Sequence, residues 1–255
     1  MPDPSILVLL FFAGIAAGVS NAVAGGGTFF TFPVFLAAGI PPIVANASNA
    51  IAVWPGHAMA VVGYRKELSR LKSQLWKSCL IVFLGGAIGA YLLSIISNAA
   101  FTKLIPLLIL FATLLFAFGK KLVSLVNARM AVRSSASPYI KRISELVFAI
   151  YGGFFGAGYG IMLMAWLQMT NDHDLQTNNA LKNLIATIMA SVAVTVFVVT
   201  GIISWWHTGA AFVGAIIGGL LGAKVVRLLS EQWLSRVVIV FGLFLSVYYF
   251  IRYYG

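Results

Sequence analysis

Two long stretches without any charged side chain dominate this sequence. No Lys, Arg, Asp or Glu occurs between Asp3 and Arg65, and none occurs between Lys182 and Lys224. Each stretch is longer than the roughly 20 residues that a helix needs to cross a bilayer. The 255-residue chain is 61% hydrophobic and 9% charged, which leaves too little polar surface to coat a soluble domain. The sequence therefore predicts an integral membrane protein that lies in a lipid bilayer.

The apolar runs predict helices rather than strands. They lack the alternating pattern of membrane β-strands, and lipid requires that every backbone polar group is bonded internally. We expect an all-α polytopic membrane protein of about 8–10 transmembrane segments, which include short broken helices. The predicted helices are 5–22, 28–38, 43–64, 74–97, 101–119, 143–158, 160–170, 177–203, 208–229 and 233–252. No basic residue precedes the first one, so we expect a retained helix and not a signal peptide.

An internal repeat divides the chain near its middle. Its landmarks are a pair of glycines, a glycine-rich break, an Asn-containing segment and a later Gly-Gly-x-x-Gly-Ala motif. They occur in this order at 14–18, 25–27, 46–49 and 85–90, and again at 152–156, 156–160, 180–183 and 218–223. We therefore predict an N-terminal transmembrane repeat over 1–119, a basic cytoplasmic linker over 120–142 and a C-terminal transmembrane repeat over 143–255.

The net charge of +11 is concentrated in two segments. Ten of the 17 Lys and Arg residues lie within 65–72 and 120–142. The positive-inside rule places both segments in the cytoplasm, which explains the charge without a nucleic-acid partner. The counterpart of the first segment in the second half runs from Ser204 to His207 and has no Lys or Arg, so we expect it outside. The two halves are then inverted, with five segments each, as in many secondary transporters.

The segments 28–38 and 160–170 are about 16 Å long, which is too short for a straight crossing. Broken helices at matching places of two inverted halves predict a binding site near mid-membrane, where helix N-terminal N–H groups can face an anion. Gly25, Gly26 and Gly27 form the first break, with Thr28 as the expected N-cap, and Gly158 and Gly160 belong to the second. The alternative is a pair of tight turns between packed helices.

Polar side chains of the Asn-containing segments are further candidates for substrate binding. They are Asn46, Ser48 and Asn49 in the first half and Asn179, Lys182 and Asn183 in the second. Amides donate hydrogen bonds to oxyanions without carrying a charge, and Lys182 would add a positive charge to a cavity. Interhelical hydrogen bonding is the alternative for the amides, and snorkelling to water is the alternative for Lys182. His57 is either a neutral buried side chain or a proton relay.

The remaining ionisable residues argue against several classes of function. No acidic residue lies deep in a predicted helix, which disfavours a cation exchanger with paired carboxylates. Glu145 is expected to pair beside the basic linker, and Asp172, His173 and Asp174 are expected to form a solvated loop rather than a metal site. The sequence contains no zinc, nucleotide-binding or nucleophile-elbow motif, so we expect neither an enzyme nor a bound metal or cofactor.

Six short motifs together resemble one transporter family. They are Gly14-Ile-Ala-Ala-Gly18, Ala24-Gly-Gly-Gly27, Phe32-Pro33, Gly39-Ile-Pro-Pro42, Ala45-Asn46-Ala47-Ser48-Asn49 and Gly85-Gly86-Ala-Ile-Gly89-Ala90. The chain is similar in these motifs to the TauE/SafE family of sulfite exporters. The resemblance implies a multi-pass permease of a bacterial or archaeal inner membrane that moves sulfite, sulfoacetate or a related small organosulfur anion, usually outward.

We therefore expect a secondary transporter that works by alternating access. The alternatives are an anion channel and a permease for another small carboxylate or inorganic anion. Two rivals come from other classes. An intramembrane enzyme would have to use His57 with Cys79 or a serine, and a membrane scaffold would use the glycine-rich faces for subunit packing. The expected partners are the small anionic substrate and the lipid bilayer, and a homo-oligomer is compatible with the sequence.

Overall fold

The computed structural model describes residues 2–23, 26–69, 76–129, 138–171, 173–225 and 231–255. These residues form eleven helices and no strand, which confirms the prediction of an all-α membrane protein. The helices are α1 (Pro4–Val23), α2 (Thr28–Ala37), α3 (Pro42–Gly63), α4 (Arg65–Ser69), α5 (Trp76–Ile95), α6 (Asn98–Arg129), α7 (Pro138–Phe154), α8 (Tyr159–Thr170), α9 (Leu175–Thr200), α10 (Trp205–Val225) and α11 (Glu231–Tyr254). Five helices are long and apolar enough to cross a membrane.

The helix boundaries differ most from the prediction around the basic linker. Helix α6 continues to Arg129 and α7 begins at Pro138, so helix occupies both ends of the range 120–142. The short helix α4 was not predicted. The physical reason is that apolar runs mark the lipid-embedded part of a helix, whereas Lys, Arg, Leu and Ala have high helix propensity in water as well.

The most extensive helix contacts join the two halves of the chain. Helix α1 packs most extensively against α10, and α5 packs next most extensively against α7. The internal repeat matches α1 with α7 and α10 with α5. The α1–α10 contact and the α5–α7 contact are therefore counterparts of each other. A Cβ atom at Gly14 would overlap the carbonyl oxygen of Ala211, and one at Gly89 would overlap that of Ile150. These landmark glycines therefore let the backbones of the two halves approach closely.

The contacts also give the relative directions of α1, α3 and α10. Gly14 and Gly18 meet Ala211 and Ala215 in the same order, so α1 and α10 run parallel. Helix α3 ends beside the basic helix α4, whereas the backbone N–H of Ser204, just before α10, donates to Oγ of Ser48 in the first half of α3. Helix α10 therefore begins at the end of the bundle opposite α4. Because α1 runs parallel to α10, it also begins at this end, which is called the outer face because it lies opposite the basic helix α4.

Two hairpins, α1–α2 and α7–α8, enter the helix bundle from opposite ends. In the second half, Nζ of Lys141 donates a hydrogen bond to the carbonyl oxygen of Thr170 at 2.8 Å, so the start of α7 lies beside the end of α8 at the basic face. In the first half, α2 ends just before α3 begins at the outer face, so α2 returns toward the side from which α1 came. The tips of both hairpins consequently lie inside the helix bundle.

Asp174, in the polar loop before α9, caps the first turn of that helix. The backbone N–H of Thr177 donates to Oδ1 of Asp174 at 2.6 Å, and this bond lowers the pKa of the exposed carboxyl below its ordinary value. The folded-state pKa lies below the unfolded one, so the cap stabilises the protein at neutral pH and is lost as the pH falls below about 4. We expect Asp174→Ala to lower the melting temperature at pH 7 but not in acid, and Asp174→Asn to lower it little at either pH. Equal losses for Asp174→Ala at both pH values would contradict this account.

Candidate functional site

A cavity of about 60 Å³ lies where the two hairpin tips meet α3 and α9. The lining residues come from both halves of the chain: Asn21, Gly26, Thr28, Asn46, Asn49, Ala50, Val53, His57, Gly152, Gly153, Phe155, Gly156, Gly158, Tyr159, Gly160, Met189, Ala190, Ala193 and Phe197. Among the predicted site residues, the structure brings together Gly26, Thr28, Asn46, Asn49, His57, Gly158 and Gly160. Two breaks that are far apart in sequence thus border one space.

The glycines at the hairpin tips are required by the backbone. Gly26, Gly156 and Gly158 have φ angles of 88°, 76° and 74°, in the left-handed region where a side chain is strained. A Cβ atom at Gly26 would also press into the ring of Phe116. Gly27 is the N-cap residue of α2, so the prediction that Thr28 is the N-cap is wrong, and Thr28 is instead the first helical residue.

Both short helices begin at the cavity. Helix α2 starts at Thr28 and α8 starts at Tyr159, directly after its N-cap Gly158. In the first turns, the N–H groups of Phe29 and Phe30 donate to the carbonyl oxygens of Gly26 and Gly27, and those of Tyr159 and Ile161 donate to the carbonyl oxygens of Gly156 and Gly158. The helix dipole still makes each of these ends partly positive. Both N-cap residues, Gly27 and Gly158, are glycines and have no side chain to cap the helix. The cavity therefore has two helix ends that attract negative charge.

Asn49 on α3 connects the first hairpin to the cavity wall. Its side chain is 1% exposed. Its Nδ2 donates to Oγ1 of Thr28 at 3.2 Å, and its Oδ1 accepts a hydrogen bond from Oγ1 of Thr31. Because the Thr28 oxygen already accepts this hydrogen bond, its own O–H group is available as a donor. Asn49 thus orients a hydroxyl donor at the start of α2.

Asn46 presents an acceptor beside the cavity. Its Nδ2 donates to the carbonyl oxygen of Phe154 at 2.9 Å, which fixes the orientation of the amide. The side chain is 2% exposed, and its Oδ1 has no hydrogen-bond partner among the residues that the structure describes. A buried acceptor of this kind suits a water molecule or a ligand that carries an O–H group. From the sequence, only the ability of the Asn side chains to donate hydrogen bonds to an anion was considered.

His57 and Lys182 lie at the inner end of the cavity. His57 lines it, and the charge of Lys182 on α9 is close enough to His57 to interact with it. A Cβ atom at Gly160, which also lines the cavity, would lie 4.0 Å from Cδ of Lys182. The Lys182 side chain is half-buried and reaches the edge of the cavity without belonging to its lining.

The other predicted site residues lie outside the cavity lining. The backbone N–H of Gly27 donates to Asn21, Ser48 accepts a hydrogen bond from the backbone N–H of Ser204, and Asn179 donates to the hydroxyl of Tyr64. Asn183 is buried. Gly25 falls outside the described residues. Ser204 lies just before α10 and Tyr64 lies between α3 and α4, so Ser48 and Asn179 make tertiary contacts to loop residues.

Sequence reasoning did not predict two polar residues of the cavity lining, Asn21 and Tyr159, or the burial of Glu145. The Oδ1 atom of Asn21 accepts the N–H of Gly27 at 2.8 Å. Glu145 was expected to pair beside the linker; it lies 3.4 Å from Arg142, but it is buried. Because α7 begins at Pro138 rather than at 143, Glu145 lies two turns inside its helix. No group of three metal-binding side chains occurs in the described part of the chain.

A family model and several relatives match this sequence over nearly its whole length. The family model of the sulfite exporter TauE/SafE family matches residues 10–249. A probable membrane transporter protein of Haemophilus influenzae is 28% identical over 250 residues, covering 94% of this chain and 93% of the relative. The probable membrane transporter protein YfcA of Escherichia coli K12 is 24% identical over 247 residues, covering 96% of this chain and 90% of the relative.

A further relative matches over a shorter range. The probable membrane transporter protein ORF9 of Sinorhizobium sp is 29% identical over 161 residues, covering 62% of this chain and 59% of the relative. No solved structure matches the chain. The family match extends over both halves and thus over both hairpin tips. The chain belongs to the sulfite exporter TauE/SafE family and is a multi-pass membrane transporter.

Proposed function

We propose that this protein exports sulfite, or a similarly small organosulfur anion, as a secondary transporter. The observation that carries the proposal is the convergence of two helix N-termini, those of α2 and α8, on one cavity within the membrane. Discontinuous helices of this kind hold anionic substrates in transporters with inverted repeats. The Thr28 hydroxyl adds a neutral donor, and Lys182 adds a positive charge at the edge. Among the residues that the structure describes, the cavity lining contains no carboxylate side chain.

The size of the cavity favours the smaller candidate anions. A water molecule needs roughly 10–15 Å³ of such space, so about 60 Å³ holds on the order of four to six water-sized groups. Sulfite, with one sulfur and three oxygens, fits this volume. Sulfoacetate carries an additional carboxymethyl group and requires the cavity to expand. The free acceptor of Asn46 further suits an anion that is singly protonated.

The helix contacts suggest which parts of the protein move. The sequence halves are joined through close backbone contacts in the α1–α10 and α5–α7 pairs, so the halves do not form separate rocking bodies. We propose instead that one body contains α1, α2 and α10 and the other contains α5, α7 and α8. Each body carries one hairpin tip, and the cavity lies between them. Relative rotation of the bodies would open it alternately to the two faces of the membrane.

Transport measurements in proteoliposomes test this proposal. We expect saturable flux of labelled sulfite, weaker flux of sulfoacetate, and a turnover far below that of a channel. Lys182→Ala should raise the half-saturating sulfite concentration about tenfold, because it removes a positive charge near the anion. Ser144→Ala, which removes a hydroxyl that hydrogen-bonds to Trp166 outside the cavity lining, serves as the control. Flux that does not saturate, or an unchanged sulfite dependence in Lys182→Ala, would contradict the proposal.

A further inference from the structure

Glu145 on α7 is a buried carboxyl group that the proposed anion site does not use. Its side chain is 2% exposed, and its Oε1 has no hydrogen-bond partner among the described residues. Its Oε2 lies 3.4 Å from an N–H group of Arg142, whose side chain is 39% exposed. An ionised carboxylate with one oxygen unpaired is costly inside a membrane, and protonation removes that charge. The surroundings therefore suit a group that alternates between its two protonation states.

Glu145 lies between the cytoplasmic face and the cavity. Arg142 precedes it by one turn and is partly exposed at the basic face. Gly152 follows it by seven residues on the same face of α7, about 10 Å farther along the helix, and lines the cavity. A Cβ atom at Gly152 would touch the ring of Tyr159, another lining residue, and Tyr159 is close enough to Glu145 for an electrostatic interaction. Glu145 can thus receive protons from the cytoplasm and influence the cavity.

The helices packed around α7 provide few other titratable groups. Helix α5 brings Cys79 within electrostatic reach of Glu145 and places the Ser78 hydroxyl beside both Glu145 and Arg142, whose N–H donates to Oγ of Ser78 at 3.3 Å. Helix α8 contributes Tyr159. Lys182 is the only charged residue in the α9 segment Leu175–Thr200, and it interacts with His57. Arg142 is therefore the basic group that contacts Glu145 directly.

We propose that Glu145 binds the proton that is coupled to anion transport. When Glu145 is ionised, its charge about 10 Å from the cavity weakens anion binding about tenfold, assuming an effective dielectric constant near 20. Protonation from the cytoplasmic side removes this repulsion, so anion binding from that side is coupled to proton uptake by Glu145. The identity of the anion rests on the proposed function, whereas the protonation of Glu145 does not.

Sulfite binding to the purified protein, measured calorimetrically across a pH series, tests the coupling. The wild type should lose affinity about tenfold as Glu145 ionises, and Glu145→Gln should lack this loss because it mimics the protonated form. Glu67→Gln, on the surface helix α4, should follow the wild type. Protonation of sulfite itself affects all three proteins equally, so it cancels in the comparison. Superimposed profiles for Glu145→Gln and the wild type would overturn the proposal.

Infrared difference spectroscopy of the ligand-free protein tests the proton site without any substrate. We expect a band from a protonated buried carboxyl group that titrates in the wild type and in Glu67→Gln but is missing from Glu145→Gln. Glu145→Asp keeps a carboxyl group and should keep the titration with a shifted midpoint, which preserves the test if Glu145→Gln does not fold. An unaltered spectrum in both variants would overturn the proposal. A titrating band in a protein that binds no sulfite would refute the proposed substrate while supporting the proton site.

Discussion

Asn49→Ala is expected to reduce sulfite flux about ten- to hundredfold, since a lost buried hydrogen bond costs about 1–3 kcal/mol. The substitution removes the amide that accepts from Thr31 and donates to Thr28. The Thr28 hydroxyl then loses the bond that directs its proton, at the point where α2 begins. Thr31 keeps a second acceptor, because its Oγ1 also lies 3.3 Å from the carbonyl oxygen of Gly27. The main loss should therefore be in anion binding rather than in folding.

Asn178→Ala is the matched control for this experiment. Asn178 is also a buried Asn, and its Nδ2 donates to the backbone carbonyl of His173 at 3.0 Å, but it is not part of the cavity lining. Both variants are compared with the wild type for sulfite flux in proteoliposomes and for melting temperature in detergent. We expect similar melting temperatures for the two variants and a large loss of flux for Asn49→Ala alone. Comparable flux in both would show that Asn49 has no special part in transport.

The helix breaks at 25–27 and 156–160 could be predicted from the sequence because clustered glycines interrupt otherwise apolar runs. Three consecutive glycines at 25–27 and alternating glycines at 156, 158 and 160 interrupt stretches that otherwise predict helix. The structure shows why: Gly26, Gly156 and Gly158 take backbone angles that other residues rarely adopt. Local conformation of this kind is encoded locally, so a single sequence is sufficient to predict it.

The composition of the cavity wall could only partly be predicted, because it depends on which helix faces meet. Asn46 and Asn49 line the cavity, whereas their expected counterpart Asn183 and the nearby Asn179 do not. The two halves differ in sequence at these positions, and α9 lines the cavity with Met189, Ala190, Ala193 and Phe197 instead. An approximate repeat predicts the matching elements, but it does not give the rotation of each helix about its axis.

The burial of Glu145 was not predicted because the predicted start of its helix was five residues too late. The apolar run begins near 143, so the sequence suggests a carboxylate at the edge of the membrane. The structure starts α7 at Pro138 and packs its face against α5, which buries Glu145. Glu145 lies about two helical turns before Gly152 and therefore on the same face of the helix as this landmark glycine. A search for acidic residues at that spacing would have indicated this position.

The contact between α1 and α10 yields the largest expected effect on stability. A Cβ atom at Gly218 would overlap the carbonyl oxygen of Ile15, whereas a Cβ atom at the neighbouring Gly219 would meet nothing within 4 Å. We expect Gly218→Val to cost about 3 kcal/mol or more, because backbone atoms of a packed helix cannot move aside as a flexible side chain can. Gly219→Val places the same side chain one residue later on the same helix and should leave stability nearly unchanged.

This difference is measured by heating the two valine variants and monitoring their unfolding by size-exclusion chromatography. Gly218→Val should lower the melting temperature strongly or abolish the monodisperse peak, and Gly219→Val should elute and melt like the wild type. Gly89→Val at the α5–α7 contact should behave like Gly218→Val, because exchange of the two halves relates the contacts and a Cβ atom there would overlap the carbonyl oxygen of Ile150. If Gly218→Val and Gly219→Val melted at the same temperature, close backbone packing between the halves could not be what holds these helices together.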